Sequence, residues 1–280
     1  MKATVQGSGY TTLIRPAEVL PHLAEPDWAP VDCRSSNKYL AGHIPGAVHA
    51  RLDVDLSGPI VPGRTGRHPL PSPDTFAETL SGWGIDRPVQ VVVYDDVGGS
   101  TAARLWWMLR WMGHDRAALL DGGWPVWQAE GHPATMGSEV RGRRRFAARV
   151  RAEFVVDIGM VDRIREDRAW RLVDTRAADR FRGQNETVDP VAGHIPGAIS
   201  APFAENLDAG GRFRSREELK ARFAAIMGGA PIEQVVCYCG SGVTAAHDIL
   251  AIAHAGLGES RLYPGSWSEW ITDPRRPIAR

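Results

Sequence analysis

The sequence predicts an α/β protein built from two tandem domains, each a parallel β-sheet flanked by helices on both faces. Three observations lead to this prediction. The chain has 280 residues, enough for two domains of roughly 100–150 residues each. It repeats one set of motifs in the same order. Short β-branched runs alternate with amphipathic helical stretches, which indicates βα units and parallel strand pairing.

The repeat is clearest in the string GHIPGA, which occurs at residues 42–47 and again at 193–198. Four further features recur around it: an Asp-Xaa-Arg step, a β-branched run, a helical pattern and a Trp-containing tail. A solenoid would need shorter periods and at least three copies, so two copies spaced ~140 residues apart indicate duplicated domains. We predict a first domain over 1–135, a linker over 136–153 and a second domain over 154–280.

Composition excludes several classes of protein. The 33 Lys and Arg residues balance the 33 Asp and Glu residues, so no net charge favours nucleic acid or an anionic membrane. Three cysteines without a regular framework indicate a reducing compartment, and the amino-terminal residues lack the apolar core of a signal peptide. We expect a cytoplasmic protein without a membrane segment. The basic linker is expected to be a solvated tether; contact with phosphate is the alternative.

Cys239 stands at the position where an open α/β sheet places its ligands, directly after a strand and before a helix. The turn continues as Gly240-Ser241-Gly242-Val243-Thr244. Its glycines let backbone N–H groups converge on one point, and the helix N-terminus adds positive potential there. This environment favours thiolate over thiol and would also hold the outer sulfur of a persulfide. Cys239 is therefore the predicted nucleophile, held in a loop that binds anions.

The first copy has Asp95 where the second has Cys239. Because a carboxylate cannot carry sulfane sulfur, we predict an inactive first domain that helps to form the cleft. Cys237 lies inside a strand, and the counterpart of Cys33 is Thr175, so both thiols are expected to be buried packing residues. Cys237 and Cys239 lack a spaced second pair of ligands, and no metal or other cofactor is expected.

These motifs resemble the tandem-domain rhodanese-like sulfurtransferases, and the CGSGVT loop is closest to the 3-mercaptopyruvate sulfurtransferase type. The resemblance rests on the doubled Asp-Xaa-Arg…GHIPGA, on GRHPLP at 66–71, on YCGSGVTA at 238–245 and on the closing GSWSEW. It implies an active site between two rhodanese-like domains and a ping-pong mechanism through a Cys239 persulfide. It also implies a small anionic sulfur donor, and an acceptor such as cyanide, a small thiol or a thioredoxin-like protein.

The resemblance further implies a proton relay in which Ser241 works with a His and an Asp of the first domain. The matching positions are His68 and Asp55, with Asp53 as the alternative because the intervening segment differs in length. Independently of the resemblance, His is the side chain best suited to proton transfer near neutral pH.

The donor is expected to contact Arg180, whose guanidinium fits a carboxylate bidentately. A second substrate Arg is usual nine residues further on in mercaptopyruvate enzymes, but Asp189 stands there, and Arg182 is the candidate substitute. The uncharged loop favours a monoanion such as 3-mercaptopyruvate over the thiosulfate dianion. Thiosulfate:cyanide sulfur transfer remains the alternative.

Two other functions were considered. A Cys-dependent phosphatase needs an Arg six residues after its Cys, and Ala245 stands at that position. A non-catalytic interaction module would not need an intact loop. The features that both copies share are expected to be structural: the Asp32–Arg34 and Asp174–Arg176 pairs and the histidines His43 and His194.

Overall fold

The computed structural model describes residues 9–280 and contains one parallel β-sheet in each half of the chain. The strands of the first half are β1 (Leu13–Ile14), β2 (Trp28–Asp32), β3 (Val48–His49), β4 (Gln90–Tyr94) and β5 (Ala117–Leu120). Those of the second half are β6 (Arg171–Asp174), β7 (Ile199–Ser200), β8 (Val235–Tyr238) and β9 (Arg261–Leu262). The strand orders are β1-β5-β4-β2-β3 and β7-β6-β8-β9. The predicted fold class is confirmed.

Helices cover both faces of each sheet. The first half contains α1 (Pro16–Val19), α2 (Ser36–Ala41), α3 (Pro73–Gly82), α4 (Ala102–Trp111) and α5 (Gly123–Ala129). The second half contains α6 (Ile158–Ile164), α7 (Ala178–Phe181), α8 (Arg216–Met227), α9 (Ala245–His254) and α10 (Ser266–Trp270). Short 3-10 helices cover Leu20–His22, Ala152–Phe154, Phe203–Asn206 and Ile232–Gln234. No helix among residues 9–280 is both long and apolar enough to cross a membrane.

The central strands are buried on both faces because successive side chains point to opposite sides of a sheet. In β8, Val235 and Cys237 face one apolar cluster, while Val236 and Tyr238 face another. The cluster that contains Cys237 also includes residues of β4 and α4 in the first half. The two sheets therefore share one continuous core.

Helices α4 and α9 pack against each other at the centre of this shared core. They are equivalent in the two copies, and each follows the loop at the carboxyl end of a central strand. Gly113 and Gly256, just beyond the two helices, have φ values of +82° and +76°, which glycine adopts readily at the end of a helix. The α4–α9 contact places the Asp95 loop and the Cys239 loop at the same interface.

The predicted linker lies along the first domain. Phe146 is buried, and its backbone N–H donates to Ser81 Oγ at 3.1 Å. Arg144 pairs with Asp86 at 2.9 Å, and other linker arginines pair with acids of the first domain. Most of this segment is exposed to solvent, as expected of a tether, and local ion pairs and one apolar anchor also hold it against the first domain. The exact domain boundaries stay a prediction.

The features that both copies share are structural, as expected. Each Asp-Xaa-Arg step forms a buried ion pair, at 2.6 Å between the Arg Nη2 and Asp Oδ2 atoms in both copies. His43 and His194 each donate a hydrogen bond from Nδ1 to a carbonyl of the preceding helix, at 2.8 Å in both copies. These contacts fix the GHIPGA turns next to the sheets.

Candidate active site

Cys239 begins the loop between β8 and α9, and 2% of its surface is exposed. Its Sγ accepts a hydrogen bond from the backbone N–H of Gly242 at 3.1 Å. Gly242 has φ +76°, and a Cβ there would collide with the carbonyl of Pro264, so the turn requires glycine. The loop thus aims a backbone donor at the sulfur, as the sequence predicts.

Ser266 supports the same cysteine from α10. Its Oγ accepts the backbone N–H of Cys239 at 3.1 Å. Ser266 is fully buried, and within residues 9–280 it is the one non-glycine residue with a positive φ, at +55°. The equivalent residue in the first copy, 266 − 143 = 123, is Gly123 with φ +58°. Sequence reasoning missed Ser266, although a Ser in place of Gly within a repeated turn was visible.

A chain of hydrogen bonds crosses the domain interface from Ser241. His68 Nδ1 lies 2.8 Å from Ser241 Oγ, and His68 Nε2 lies 3.1 Å from Asp53 Oδ1. Burial lowers the pKa of His68, and the nearby Asp53 opposes that effect. The ring is therefore neutral at pH 7. Because a carboxylate only accepts, Nε2–H donates to Asp53, and Nδ1 accepts the Ser241 hydroxyl proton.

Asp55 does not contact His68. Its carboxylate accepts the backbone N–H of Arg51 at 2.8 Å and the Arg51 guanidinium at 2.9 and 3.0 Å. These three bonds close the short turn in which Asp55 lies. The expectation that Asp55 partners His68 is wrong for this reason, and the contact belongs to Asp53, the alternative.

Two guanidinium groups lie over the catalytic loop. A Cβ added to Gly240 would lie 2.9 Å from Arg67 Nη2 and 3.7 Å from Arg180 Nη2. Arg67 comes from the first domain and directly precedes His68. Asp189 lies between the two cations: its Oδ2 atom is 3.1 Å from Arg180 Nη2, and its Oδ1 atom pairs with Arg67. A second guanidinium group therefore lies beside Arg180, and the first domain supplies it.

The segment after α7 holds Arg180 and Asp189 in position. Glu186, which the sequence reasoning missed, is buried and pairs with Arg180 at 2.8 Å and with Arg176 at 3.4 Å. It also accepts the backbone N–H of Asp189 at 2.9 Å, which fixes that carboxylate in place. Arg182 donates to Gln184 and takes no part in the cluster. Arg67, and not Arg182, is the cation next to Arg180.

Comparison with known protein families matches the rhodanese-like domain twice, over residues 15–130 and 159–273. The chain belongs to the rhodanese-like sulfurtransferases. It is 45% identical over 276 residues to a probable 3-mercaptopyruvate sulfurtransferase of Pseudomonas aeruginosa, which covers 95% of this chain and 97% of that protein. It is 40% identical over 246 residues to a putative thiosulfate sulfurtransferase, SseB, of Mycobacterium tuberculosis, covering 86% and 84% respectively.

Among solved structures, the 3-mercaptopyruvate sulfurtransferase of Leishmania major superposes with a TM-score of 0.82 at 33% identity. The match covers 93% of this chain and 74% of that one. The two rhodanese-like domains predicted from the repeat are thus confirmed by both sequence and structure.

In the first rhodanese-like domain, the Asp95 side chain occupies the centre of the loop that corresponds to the Cys239 loop. The Asp95 carboxylate is buried and accepts four backbone N–H groups, those of Val97, Gly99, Thr101 and Ala102, at 2.8–3.0 Å. The loop is one residue longer than its counterpart in the second domain. Asp95 therefore occupies the place where the second domain holds a sulfur.

The other thiols lie in the core. Cys33 and Cys237 are buried, and burial raises the pKa of both. Neither thiol forms a disulfide. Within the described part of the chain, no group of three or more His, Cys, Asp or Glu side chains could hold a metal ion. Cys239 is the nucleophile that the site geometry favours.

Proposed function

We propose that this sulfurtransferase takes a sulfur atom from 3-mercaptopyruvate and carries it as a Cys239 persulfide. One observation supports this most directly. Cys239 lies in a loop that combines a sulfur-directed N–H with a Ser241–His68–Asp53 hydrogen-bond chain. Thiosulfate has no proton to remove, whereas a thiol donor does, so the chain suits a thiol donor.

The reaction follows from these contacts. The Cys239 thiolate attacks the donor sulfur, the carbon–sulfur bond breaks, and pyruvate leaves as its enolate. Ser241 takes the thiol proton and passes its own to neutral His68, and this proton returns to the enolate carbon. Asp53 stabilises the imidazolium that forms in between. In the second half, the acceptor attacks the outer sulfur and regenerates the Cys239 thiolate.

The donor's carboxylate is expected to bind Arg180 and Arg67, which have exposed fractions of 21% and 34%. Asp189 competes for both cations, so the donor must displace part of an existing ion pair. This cost weakens the binding of any anionic donor. Thiosulfate:cyanide transfer is the second candidate, favoured by two adjacent guanidinium groups over the loop and by the relative from Mycobacterium tuberculosis.

The acceptor is expected to be cyanide, a small thiol or a thioredoxin-like protein. We place the reaction in the cytoplasm, without nucleic-acid or membrane partners, because all three thiols are free and opposite charges balance.

Mass spectrometry of the protein after incubation with 3-mercaptopyruvate tests the proposal. Cys239 should gain about 32 Da, one sulfur atom, and Cys239→Ser should gain nothing. A wild-type protein without the added mass would contradict the function. Comparison of kcat/KM for the two donors tests the substrate: a tenfold preference for thiosulfate, ~1.4 kcal/mol, would reverse the assignment.

A further inference from the structure

Arg104 is a fully buried guanidinium at the start of α4, in the first domain. Within residues 9–280, no carboxylate forms an ion pair with it, and a negative charge on Cys239 would raise its pKa. Burial lowers its pKa to about 10, so it still carries its charge at neutral pH. A buried cation without a carboxylate is costly, and its position therefore calls for an explanation.

The hydrogen bonds of Arg104 all go to backbone carbonyls around the catalytic site. Nη1 donates to the carbonyl of Gly242 at 2.9 Å. Nη2 donates to the carbonyl of His68 at 3.1 Å and, more weakly, to that of Leu56 at 3.3 Å. Gly242 supplies the N–H that points at Cys239 Sγ, and His68 is the relay base. One side chain thus links the two loops that must meet for the reaction.

The repeat provides a comparison. Arg104 corresponds to His247, since 104 + 143 = 247, and His247 also reaches across the interface, donating from Nε2 to the carbonyl of Gly98 at 2.9 Å. Burial lowers the pKa of His247 to about 4, so this side chain is neutral. The neutral residue reaches the loop of Asp95, whose charge four N–H groups already stabilise. The permanent cation reaches the loop that holds sulfur.

We propose that Arg104 is a positioning residue, supplied by the non-catalytic domain, that orients Gly242 and stabilises the negative charge on Cys239. The same cation stabilises the terminal sulfur anion of the persulfide. This rests on the proposed function only in taking Cys239 as the sulfur carrier. Arg104 contacts backbone carbonyls and not the donor pocket, so it acts through the loop and not on the donor.

Three variants separate the two parts of this role. Arg104→Met removes both charge and hydrogen bonds, Arg104→Gln keeps a donor without charge, and Arg104→Lys keeps the charge with fewer bonds. The readout is the rate at which iodoacetamide alkylates Cys239, followed on the Cys239 peptide by mass spectrometry over a series of pH values. The midpoint is the pH at which this rate is half of its maximum. The midpoint should rise by about one pH unit in Arg104→Met, a tenfold smaller thiolate fraction, and by less in Arg104→Lys.

Kinetics provide a second readout. In Arg104→Met, kcat should fall about tenfold or more while KM for 3-mercaptopyruvate stays within twofold, because Arg104 does not touch the donor. Arg110→Met, on the same helix and paired with Glu259, is the matched control and should leave the midpoint unchanged.

An unchanged midpoint in both Arg104→Met and Arg104→Gln would overturn the proposal. If Arg104→Met does not fold, the comparison of Gln with Lys decides: the Gln midpoint must lie above the Lys midpoint, and equal midpoints overturn it. The alkylation readout needs no turnover. A wild-type protein that forms no persulfide would therefore contradict the function and leave the role of Arg104 still measurable.

Discussion

Ser241, His68 and Asp53 form the hydrogen-bond chain that the proposed mechanism uses as its proton relay. Ser241 is buried, whereas the Asp53 side chain is 83% exposed. Burial lowers the pKa of the ring between them, which keeps it ready to accept a proton at neutral pH. Because Asp53 is solvated, water and salt screen part of its stabilising effect on the His68 imidazolium.

Asp53→Asn should lower kcat/KM for 3-mercaptopyruvate about tenfold, since the imidazolium loses its partner. Asp55→Asn should change it less than twofold, because Asp55 pairs with Arg51 and does not reach the ring. Steady-state kinetics on both variants measure the difference. The opposite ranking would show that the relay uses Asp55.

In the proposed donor site, Asp189 is the carboxylate that competes with an anionic donor for Arg67 and Arg180. Asp189→Asn removes the carboxylate between Arg67 and Arg180 and leaves two guanidinium groups for the donor. KM should fall about threefold for 3-mercaptopyruvate and about tenfold for thiosulfate, because a dianion gains more from the freed charge. Asp162→Asn, which removes an exposed carboxylate elsewhere in the second domain, controls for net charge. A rise in KM would show that Asp189 positions the cations and does not compete for them.

At the scale of elements, the strand–loop–helix unit occurs twice with the same order of elements and different side chains at the centre of the loop. β4, the Asp95 loop and α4 correspond to β8, the Cys239 loop and α9. In the first unit a carboxylate accepts four backbone N–H groups, and in the second the Cys239 sulfur accepts that of Gly242. The first loop therefore stabilises the interface on which the second loop depends.

Asp95→Ala should lower the free energy of unfolding by roughly 3 kcal/mol, because it leaves four backbone N–H groups without their acceptor. Asp95→Asn retains one acceptor oxygen and should cost about 1 kcal/mol. Urea denaturation of both variants measures these values. Equal stability of Asp95→Ala and wild type would mean that water satisfies the loop equally well.

Local pattern predicted the elements well and the cross-domain contacts poorly. The strands β4 and β8 and the helices α4 and α9 follow from short apolar runs and helical spacing, which neighbouring residues determine. Arg67 and Arg104 were missed because their partners in the other domain, Asp189 and Gly242, lie 122 and 138 residues away along the chain. Arg104 left one trace in the sequence, because it and Arg110 are the two cations of an otherwise apolar α4.

The choice between Asp53 and Asp55 could not be made from sequence either. Both carboxylates lie in one short segment, and the direction of each depends on how the turn closes on Arg51. The pairing of Asp189 with Arg67 depends likewise on the docking of two domains. Cys239 was predictable because its strand, its glycines and its helix are contiguous in the chain.

At the scale of the whole molecule, the two domains share their main core through α4 and α9. The catalytic domain by itself lacks Asp53, His68, Arg67 and Arg104. Both the chemistry and a large part of the apolar burial therefore need the pair of domains. The non-catalytic domain is a component of the active site.

The interface should also make stability depend on pH. His247 has a folded pKa of about 4, below its usual 6.5, so between these values the unfolded chain binds a proton that the folded chain excludes. Its contribution is complete above pH 6.5 and is lost as the pH falls toward 4. His247→Gln keeps a donor to the Gly98 carbonyl without titrating. Between pH 7.5 and 5.0, wild type should lose about 2 kcal/mol more than this variant.

Urea denaturation at the two pH values measures the effect, with His22→Gln, a partly exposed histidine, as the control. Burial raises the pKa of the neighbouring Asp248 to about 7, so that group favours the folded state as the pH falls. The His247→Gln variant should therefore keep the pH dependence of Asp248 and of the other histidines that burial shifts, such as His254 with a pKa of about 4, and lose that of His247. Identical pH dependence in wild type and variant would contradict the assignment.

The four N–H groups around Asp95 also bear on how this gene can evolve. Asp and Cys codons differ at two bases, and the single-base intermediates between them encode Tyr or Gly. Neither side chain offers an oxygen anion to the four buried donors, so each intermediate loses the stabilisation that the carboxylate provides. Selection on folding alone therefore opposes the return of a second nucleophile. The division of labour between the two copies is difficult to reverse by single mutations.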